Sequence, residues 1–215
     1  MIRRSVPTKA LAIGLAALAG YVDAIAYLET GGFFVSFMSG NTTRLGVGLA
    51  HGSEAAVIAS GLIGCFFIGV TAASFAGDMA SRSRRPTVLW IVSLMLAAAA
   101  VAAANGYTIA SIASLAFAMG AENAVLGEDG ETSVALTYMT GTIVKLGRCL
   151  ADALRGGDAK GWGSYLLLWA GLLAGATMGS AADSALGISA LWISAASAAF
   201  LALITGARGM MSRDS

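Results

Sequence analysis

Six long apolar stretches constrain the fold of this chain more than any other feature of its sequence. Each contains about 20 mainly apolar residues, the length that a helix needs to cross the hydrocarbon core of a bilayer. They lie at residues 10–28, 55–77, 87–104, 107–127, 161–182 and 187–207. Only 12% of the residues are charged, about half the usual share in a soluble domain. The sequence therefore predicts an all-α, polytopic transmembrane helical bundle in a lipid bilayer.

Two further segments, 33–50 and 132–150, are apolar but contain residues that a lone lipid-facing helix does not tolerate. Each has glycines, hydroxyl side chains and at least one cation: Arg44 in the first segment, and Lys145 and Arg148 in the second. A charge at membrane depth costs about 2.5–3.5 kcal/mol on insertion scales. Irregular backbone is excluded from lipid unless it is buried in protein or lines a cavity. We therefore expect both segments to be broken or re-entrant.

The composition excludes several classes of function. A net charge of +1 does not provide the basic surface that binds nucleic acid. Two cysteines and one histidine are too few for a disulfide framework or a Cys/His metal cluster, so we expect no metal and no other cofactor. The sequence has no G-x-S-x-G, H-E-x-x-H or P-loop pattern, and we expect neither an enzyme nor catalytic residues.

Four landmarks recur in the same order, with a shift of about 100 residues. The matched pairs are 20–24 with 120–124, 38–46 with 139–147, 69–71 with 175–177, and 89–91 with 191–193. The sequence predicts a single transmembrane domain, 1–215, of two homologous halves, about 1–104 and 105–215. Because the repeat includes Gly20 and Asp23, we expect the first apolar stretch to be a span rather than a removed signal peptide.

The distribution of cations predicts how the halves are oriented, because Lys and Arg favour the cytoplasmic side. If the two flawed segments re-enter, there are six full spans, with 11 cations in cytoplasmic regions and none outside. If they cross fully, there are eight spans, and the arginines of the 81–86 loop fall outside. The first arrangement fits better, and three spans per half make the repeat inverted. We expect a multi-pass protein of the bacterial inner (plasma) membrane with both termini cytoplasmic.

Polar residues at equivalent membrane depths in the two halves form the predicted substrate-binding site. Glycines at two of these positions would let each helix break, and a half-helix starting near Gly40 would direct free N–H groups to the centre of the membrane. The two cations would attract an anion or zwitterion, and the two acidic groups would neutralise them or carry protons. The predicted residues are Asp23, Ser39, Gly40, Asn41, Thr42, Arg44, Glu122, Asn123, Thr140, Gly141 and Lys145.

A structural interpretation of the same residues stays open at this point. Asp23 with Arg44, and Glu122 with Lys145, would then be buried ion pairs that hold the broken segments in place. Small residues also recur at helical spacing, which favours close helix packing and permits a homodimer. These residues are Gly61, Gly64 and Gly69 in the first half, and Gly171, Gly175 and Gly179 in the second.

The chain resembles the YoaK family of small bacterial integral membrane proteins, which are grouped under a domain of unknown function. The resemblance lies in a Gly-x-x-Asp-Ala motif at 20–24, followed by Phe-x-x-x-Met-Ser-Gly-Asn-Thr at 34–42. Ser39 stands where the family pattern has Thr, so a hydroxyl is kept. The resemblance extends over residues 10–207 and implies a multi-spanning inner-membrane protein, without implying a substrate.

Inverted repeats with discontinuous helices are a recurrent plan of secondary transporters, with the binding site near the midplane of the membrane. We therefore expect a transporter or permease of a small polar solute, with anions among the candidates. The alternative is a membrane protein without transport activity, such as an assembly partner or sensor, in which intramembrane ion pairs are purely structural.

Overall fold

The computed structural model describes residues 6–80, 83–126, 139–156 and 162–211, and these residues form helices joined by short turns. No strand occurs among them, so the all-α prediction is confirmed for this part of the chain. A short 3-10 helix, Gly187–Ala190, precedes the last of the α-helices. The α-helices are α1 (Val6–Glu29), α2 (Met38–His51), α3 (Glu54–Ala80), α4 (Arg84–Ala104), α5 (Thr108–Asn123), α6 (Met139–Leu154), α7 (Trp162–Leu186) and α8 (Leu191–Met211).

Four helical stretches in the described part of the chain are long and apolar enough to cross a membrane. They are Thr8–Glu29, Glu54–Ala80, Arg84–Ala104 and Trp162–Ala207, and the last, of 46 residues, includes both α7 and most of α8. The remaining predicted span, α5, has 16 residues, so its length is about 24 Å. It is shorter than predicted because the helix ends at Asn123 and a turn follows.

The helices α1 and α7 run in the same direction and are in close contact. Three glycines of α7 lie against successive turns of α1: Gly171 against Ile13, Gly175 against Ala17, and Gly179 against Tyr21. A Cβ atom on Gly175 or Gly179 would overlap a backbone carbonyl of α1. Glycine at these positions therefore allows the two helix backbones to touch.

The final helix, α8, runs against α1 in the opposite direction. Leu201 lies near Gly14, whereas the Tyr21 hydroxyl donates a hydrogen bond of 3.0 Å to the carbonyl of Ala190, at the start of α8. The chain thus reverses between α7 and α8, where Gly187 has a φ of 57°. This left-handed conformation is accessible to glycine with little strain.

The helices α4 and α8 are also antiparallel. The Ser93 hydroxyl donates a hydrogen bond of 2.9 Å to the carbonyl of Ala195, and a Cβ atom on Gly206 would lie 3.8 Å from Pro86. Residue numbers therefore rise along α4 as they fall along α8. In the predicted repeat, Ser93 and Ala195 are equivalent positions, so these two helices meet at corresponding points.

Helices α3 and α5 make the same kind of glycine contact as α1 and α7. A Cβ atom on Gly69 would overlap the carbonyl of Phe117, and one on Gly120 would overlap the carbonyl of Phe66. Gly61 and Gly64, in contrast, have no described neighbour within 4 Å of the point that a Cβ atom would occupy. Of the glycines predicted to pack helices in the first half, only Gly69 therefore does so within the described chain.

Candidate functional site

A non-helical loop, residues 30–37, separates α1 from α2 and begins the candidate site. Gly31 and Gly32 have φ values of 67° and 111°, conformations that favour glycine and end α1. The predicted half-helix near Gly40 begins two residues earlier, at Met38, whereas Gly40 and Gly141 themselves are helical residues in the first turns of α2 and α6. Gly40 serves packing instead, since a Cβ atom there would overlap the Phe37 ring.

The Asp23 side chain connects α1 to this loop. Its Oδ1 atom accepts hydrogen bonds of 2.8 Å from the backbone N–H groups of both Val35 and Ser36. Its Oδ2 atom accepts a hydrogen bond from the Ser36 hydroxyl. Three donors therefore converge on a single carboxylate, which pairs two N–H groups of the non-helical backbone within the protein.

Asn41 makes the matching connection from α2. Its side chain is fully buried. Its Nδ2 donates a hydrogen bond of 2.5 Å to the Phe34 carbonyl, and its Oδ1 accepts one of 3.2 Å from the Phe34 N–H. An amide supplies both a donor and an acceptor, so one side chain pairs with both backbone groups of one residue.

The two predicted intramembrane cations contact aromatic rings. The Arg44 guanidinium lies 4.7 Å from the centroid of the Phe33 ring, and the Lys145 ammonium lies 5.6 Å from that of Tyr165. In the described part of the chain, neither cation forms an ion pair with Asp23 or Glu122. The Asp23–Arg44 and Glu122–Lys145 pairs considered from the sequence are therefore wrong, because Asp23 is bonded to the loop and each cation is held over a ring.

Glu122 and Asn123, at the end of α5, have buried polar atoms without hydrogen-bond partners in the described structure. Glu122 is 0% exposed, and neither of its carboxyl oxygens is hydrogen-bonded to a described residue. Asn123 donates from Nδ2 to the Met119 carbonyl at 2.9 Å, whereas its Oδ1 accepts no bond from the residues described. Such unpaired buried groups are rare in folded proteins and call for a specific role.

The remaining predicted site residues lie at the starts of α2 and α6. Ser39 and Thr42 are exposed, and the Thr42 hydroxyl bonds back to the Met38 carbonyl at 2.8 Å. Gly141 is buried in the first turns of α6, and Thr140 beside it is exposed. In the described segments, no three His, Cys, Asp or Glu side chains come together as a metal site would require.

A cavity of about 640 Å³ lies between α1, the 30–37 loop, α6 and α7. Its polar lining consists of Asp23, Ser36, Thr140 and Ser180, and its aromatic lining of Tyr27, Phe34 and Phe37. Gly20, Ala24, Leu28, Met139, Ile143, Leu172 and Ala176 complete the wall. This volume falls within the range of small-molecule sites.

Only Asp23 and Thr140 of the residues predicted for the site line this cavity. Sequence reasoning missed the three aromatic residues as cavity lining, although Phe34 and Phe37 lie within the motif at 34–42 and Tyr27 follows the Gly-x-x-Asp-Ala motif by three residues. Helical or strand periodicity does not apply to a non-helical loop. The position of Phe34 follows instead from the hydrogen bonds between its backbone and the Asn41 side chain.

Comparison with known proteins shows the family to which this chain belongs. A family described as "Protein of unknown function (DUF1275)" matches residues 11–204. The chain belongs to the DUF1275 family. The chain is also 39% identical, over 93% of its length and 86% of the relative's, to a UPF0700 transmembrane protein of Rhizobium meliloti. No solved structure matches.

These matches confirm the predicted family, and they show that this DUF1275 member is an integral membrane protein. The matched region contains the whole of the candidate site, from Gly20 on α1 to Ser180 on α7. Asp23 and Asn41, the two side chains that hold the loop, are both residues of the motifs by which the sequence resembles this family.

Proposed function

We propose that the chain consists of two inverted halves, 1–104 and 105–215, with six membrane spans and two re-entrant helices. The spans would be α1, α3, α4, α5, α7 and α8, and the re-entrant helices α2 and α6. The equivalent glycines of the two halves support this proposal, since Gly69 and Gly175 make matching contacts, as do Gly20 and Gly120. The antiparallel crossing of α4 and α8 at Ser93 and Ala195 supports inversion, because halves of equal direction would make these helices parallel.

The proposed orientation has both termini in the cytoplasm of a bacterial inner membrane. The cations of the connecting segments support it, because this arrangement brings those of 81–86 and both termini to the same side. It also brings the ends of α1 and α3 that flank α2 to the outer side, and the corresponding ends of α5 and α7 to the inner side.

Within that framework, we propose that the protein is a transporter or permease of a small polar solute. The observation that carries this function is the cavity beside the 30–37 loop, where non-helical backbone and the Asp23 carboxylate meet within the helical bundle. In inverted-repeat transporters, substrate sites lie at such helix interruptions, and one half rocks against the other. The cavity has walls from both halves, α1 and α7 among them, so such a motion would open and close it.

A second candidate is a non-transporting membrane protein, such as an assembly partner or sensor. The hydrogen bonds of Asp23 and Asn41 favour it, because both side chains satisfy the backbone of the loop. On this hypothesis the motif residues maintain the fold and bind no solute. It predicts that no compound stabilises the protein saturably.

The experiment that separates the two functions combines ligand binding with uptake. The purified full chain is screened for thermal stabilisation by organic cations, neutral metabolites and inorganic anions. A ligand that binds the native state stabilises it by about 2.7 kcal/mol at a hundredfold excess over its Kd. Compounds that stabilise the protein are then tested for uptake into proteoliposomes.

A cavity-filling variant provides the control for this experiment. Ala176 lines the cavity, whereas Ala174 is exposed two residues earlier on the same helix. We expect Ala176→Leu to abolish uptake and Ala174→Leu to preserve it, with both proteins folded. Saturable binding without uptake by the native chain, or equal uptake by the two variants, would contradict the transport proposal.

A further inference from the structure

Three neighbouring aromatic rings form one wall of the cavity beside Asp23. The ring centroids of Tyr27 and Phe34 are 5.2 Å apart, and those of Phe34 and Phe37 are 5.4 Å apart, with the second pair nearly perpendicular. Aromatic faces carry partial negative charge, and groups of them bind alkylated ammonium ions. The wall is therefore suited to a cation with apolar substituents.

The charge of the cavity lining also favours a cation as the ligand. Asp23 is the acidic residue among the described lining residues, which include no Lys or Arg. The two cations from which the sequence predicted an anion site are engaged elsewhere, Arg44 over Phe33 and Lys145 over Tyr165. Neither of those rings lines the cavity. A carboxylate without a neighbouring cation attracts positive ligands and repels anions.

The hydrogen bonds of Asp23 narrow the ligand class further. Two backbone N–H groups and the Ser36 hydroxyl already use most of the acceptor positions on its two oxygens. A primary ammonium would give up its bonds to water, and Asp23 has few free acceptor positions to replace them. An ammonium bearing alkyl groups in place of its hydrogens loses no such bonds. It would gain attraction from both the charge and the rings.

We propose that this cavity binds a small organic cation with an alkylated ammonium group, held between the Asp23 carboxylate and the rings of Tyr27, Phe34 and Phe37. The inference rests on the proposed function, since it names the substrate class of the same cavity. The ammonium group belongs either to a free solute or to the headgroup of a lipid, because both present the same chemistry.

The test uses choline as the probe, with the purified full chain in nanodiscs of phosphatidylglycerol and binding measured by calorimetry. The matched comparison is the neutral analogue of choline, in which a carbon atom replaces the nitrogen. We expect choline to bind saturably and the neutral analogue to bind at least about tenfold more weakly, since its shape is the same and only the charge is missing. Equal binding of the two, or preferential binding of acetate or phosphate, would overturn the proposal.

Variants then locate the binding in this cavity. Phe34→Leu and Tyr27→Leu should each weaken choline binding about tenfold, and Phe67→Leu should leave it unchanged, because Phe67 is on α3 and exposed. Asp23→Asn should abolish binding. If Asp23→Asn does not fold, the two ring variants and the neutral analogue still test whether the cation binds in this cavity. Binding that survives both ring variants would overturn the assignment.

Two further arms identify the source of the cation and separate this inference from transport. Phosphatidylcholine added to the nanodiscs should compete with choline if the site takes a headgroup, and should not compete if it takes a free solute. Uptake of labelled choline into proteoliposomes tests transport. Choline that binds without uptake upholds the cation site and contradicts transport. Uptake of another solute by a protein that does not bind choline upholds transport and overturns the cation site.

Discussion

At the scale of single residues, the functions of Asp23 and Asn41 follow from what the loop between α1 and α2 lacks. Its backbone is not helical, so its N–H and C=O groups need partners from elsewhere. Asp23 supplies acceptors from α1, and Asn41 supplies both an acceptor and a donor from α2. The sequence identified both residues as candidate ligands of a solute, and the structure adds the loop backbone as their hydrogen-bond partner. Their partners could not be predicted, because those partners are backbone atoms of a segment without periodicity.

Replacing Asn41 tests this structural contribution. Asn41→Ala leaves both backbone groups of Phe34 unpaired in a buried site, and we expect a loss of about 3 kcal/mol in the free energy of unfolding. Asn105→Ala is the control, since Asn105 is exposed and makes a comparable local bond to Val101; we expect a change below about 0.5 kcal/mol. Denaturant unfolding in detergent measures both. Similar losses in the two variants would argue against the loop-holding function.

Replacing Glu122, in contrast to replacing Asn41, is expected to stabilise the protein. Its carboxyl group is buried without a hydrogen-bond partner in the described structure. Burying a polar group in this way costs about 1–3 kcal/mol, a cost that an apolar side chain of similar volume removes. We expect Glu122→Met to raise the unfolding temperature of the purified protein. Glu54→Met, at an exposed position, should change it little. A fall in unfolding temperature for Glu122→Met would mean that the carboxyl has a partner needed for folding.

At the scale of helices, length and apolar composition were enough to locate the elements but not their breaks. The stretches around α1, α3, α4, α7 and α8 were predicted within a few residues, because an uncharged run of about 20 residues has one stable form in lipid. The sequence placed an interruption between residues 28 and 33, where Gly31 and Gly32 do turn the chain, and a further break at Gly40, which is helical. Each glycine is compatible with a turn or with close packing, and only the Phe37 ring beside Gly40 decides between them.

The glycine contacts between helices give a prediction with a control on another helix. Gly175→Ala brings a methyl group into the carbonyl of Ala17, and overpacking of this kind costs about 1–3 kcal/mol. Gly61→Ala meets open space in α3, so the higher helix propensity of alanine should leave stability unchanged or raise it by up to about 1 kcal/mol. Gly69→Ala should behave like Gly175→Ala. Thermal unfolding of the three variants tests the prediction, and equal effects at Gly61 and Gly175 would contradict it.

At the scale of the whole molecule, the most extensive helix contacts join one predicted half to the other. α1 packs mainly against α7 and α3 mainly against α5, whereas α4 packs against both α8 and α5. The sequence showed the repeat but not this packing between the halves, because the recurrence of a motif does not specify which helices are in contact. The cavity lies where the two halves pack together, since α1 and α7 form two of its walls.

The proposed six-span topology is tested by cysteine labelling. In a background with Cys65→Ser and Cys149→Ser, we expect Ser83→Cys to be protected from an impermeant maleimide in intact cells, and Asn105→Cys to be labelled. The two positions flank α4, so each is the control for the other. Permeabilised cells should label both. Labelling of Ser83→Cys alone in intact cells would instead support eight spans and a parallel repeat.

The pairing of α1 with α7 has a consequence for how the protein is made. About 130 residues separate the two helices, so at about 5–20 residues per second the ribosome completes α1 roughly 7 to 26 seconds before α7 emerges. Throughout that interval the flank of α1 around Ala17 and Gly20, which α7 later covers, has no native neighbour. Biogenesis therefore depends on lipid or the insertion machinery to shelter this surface until the second half of the chain arrives.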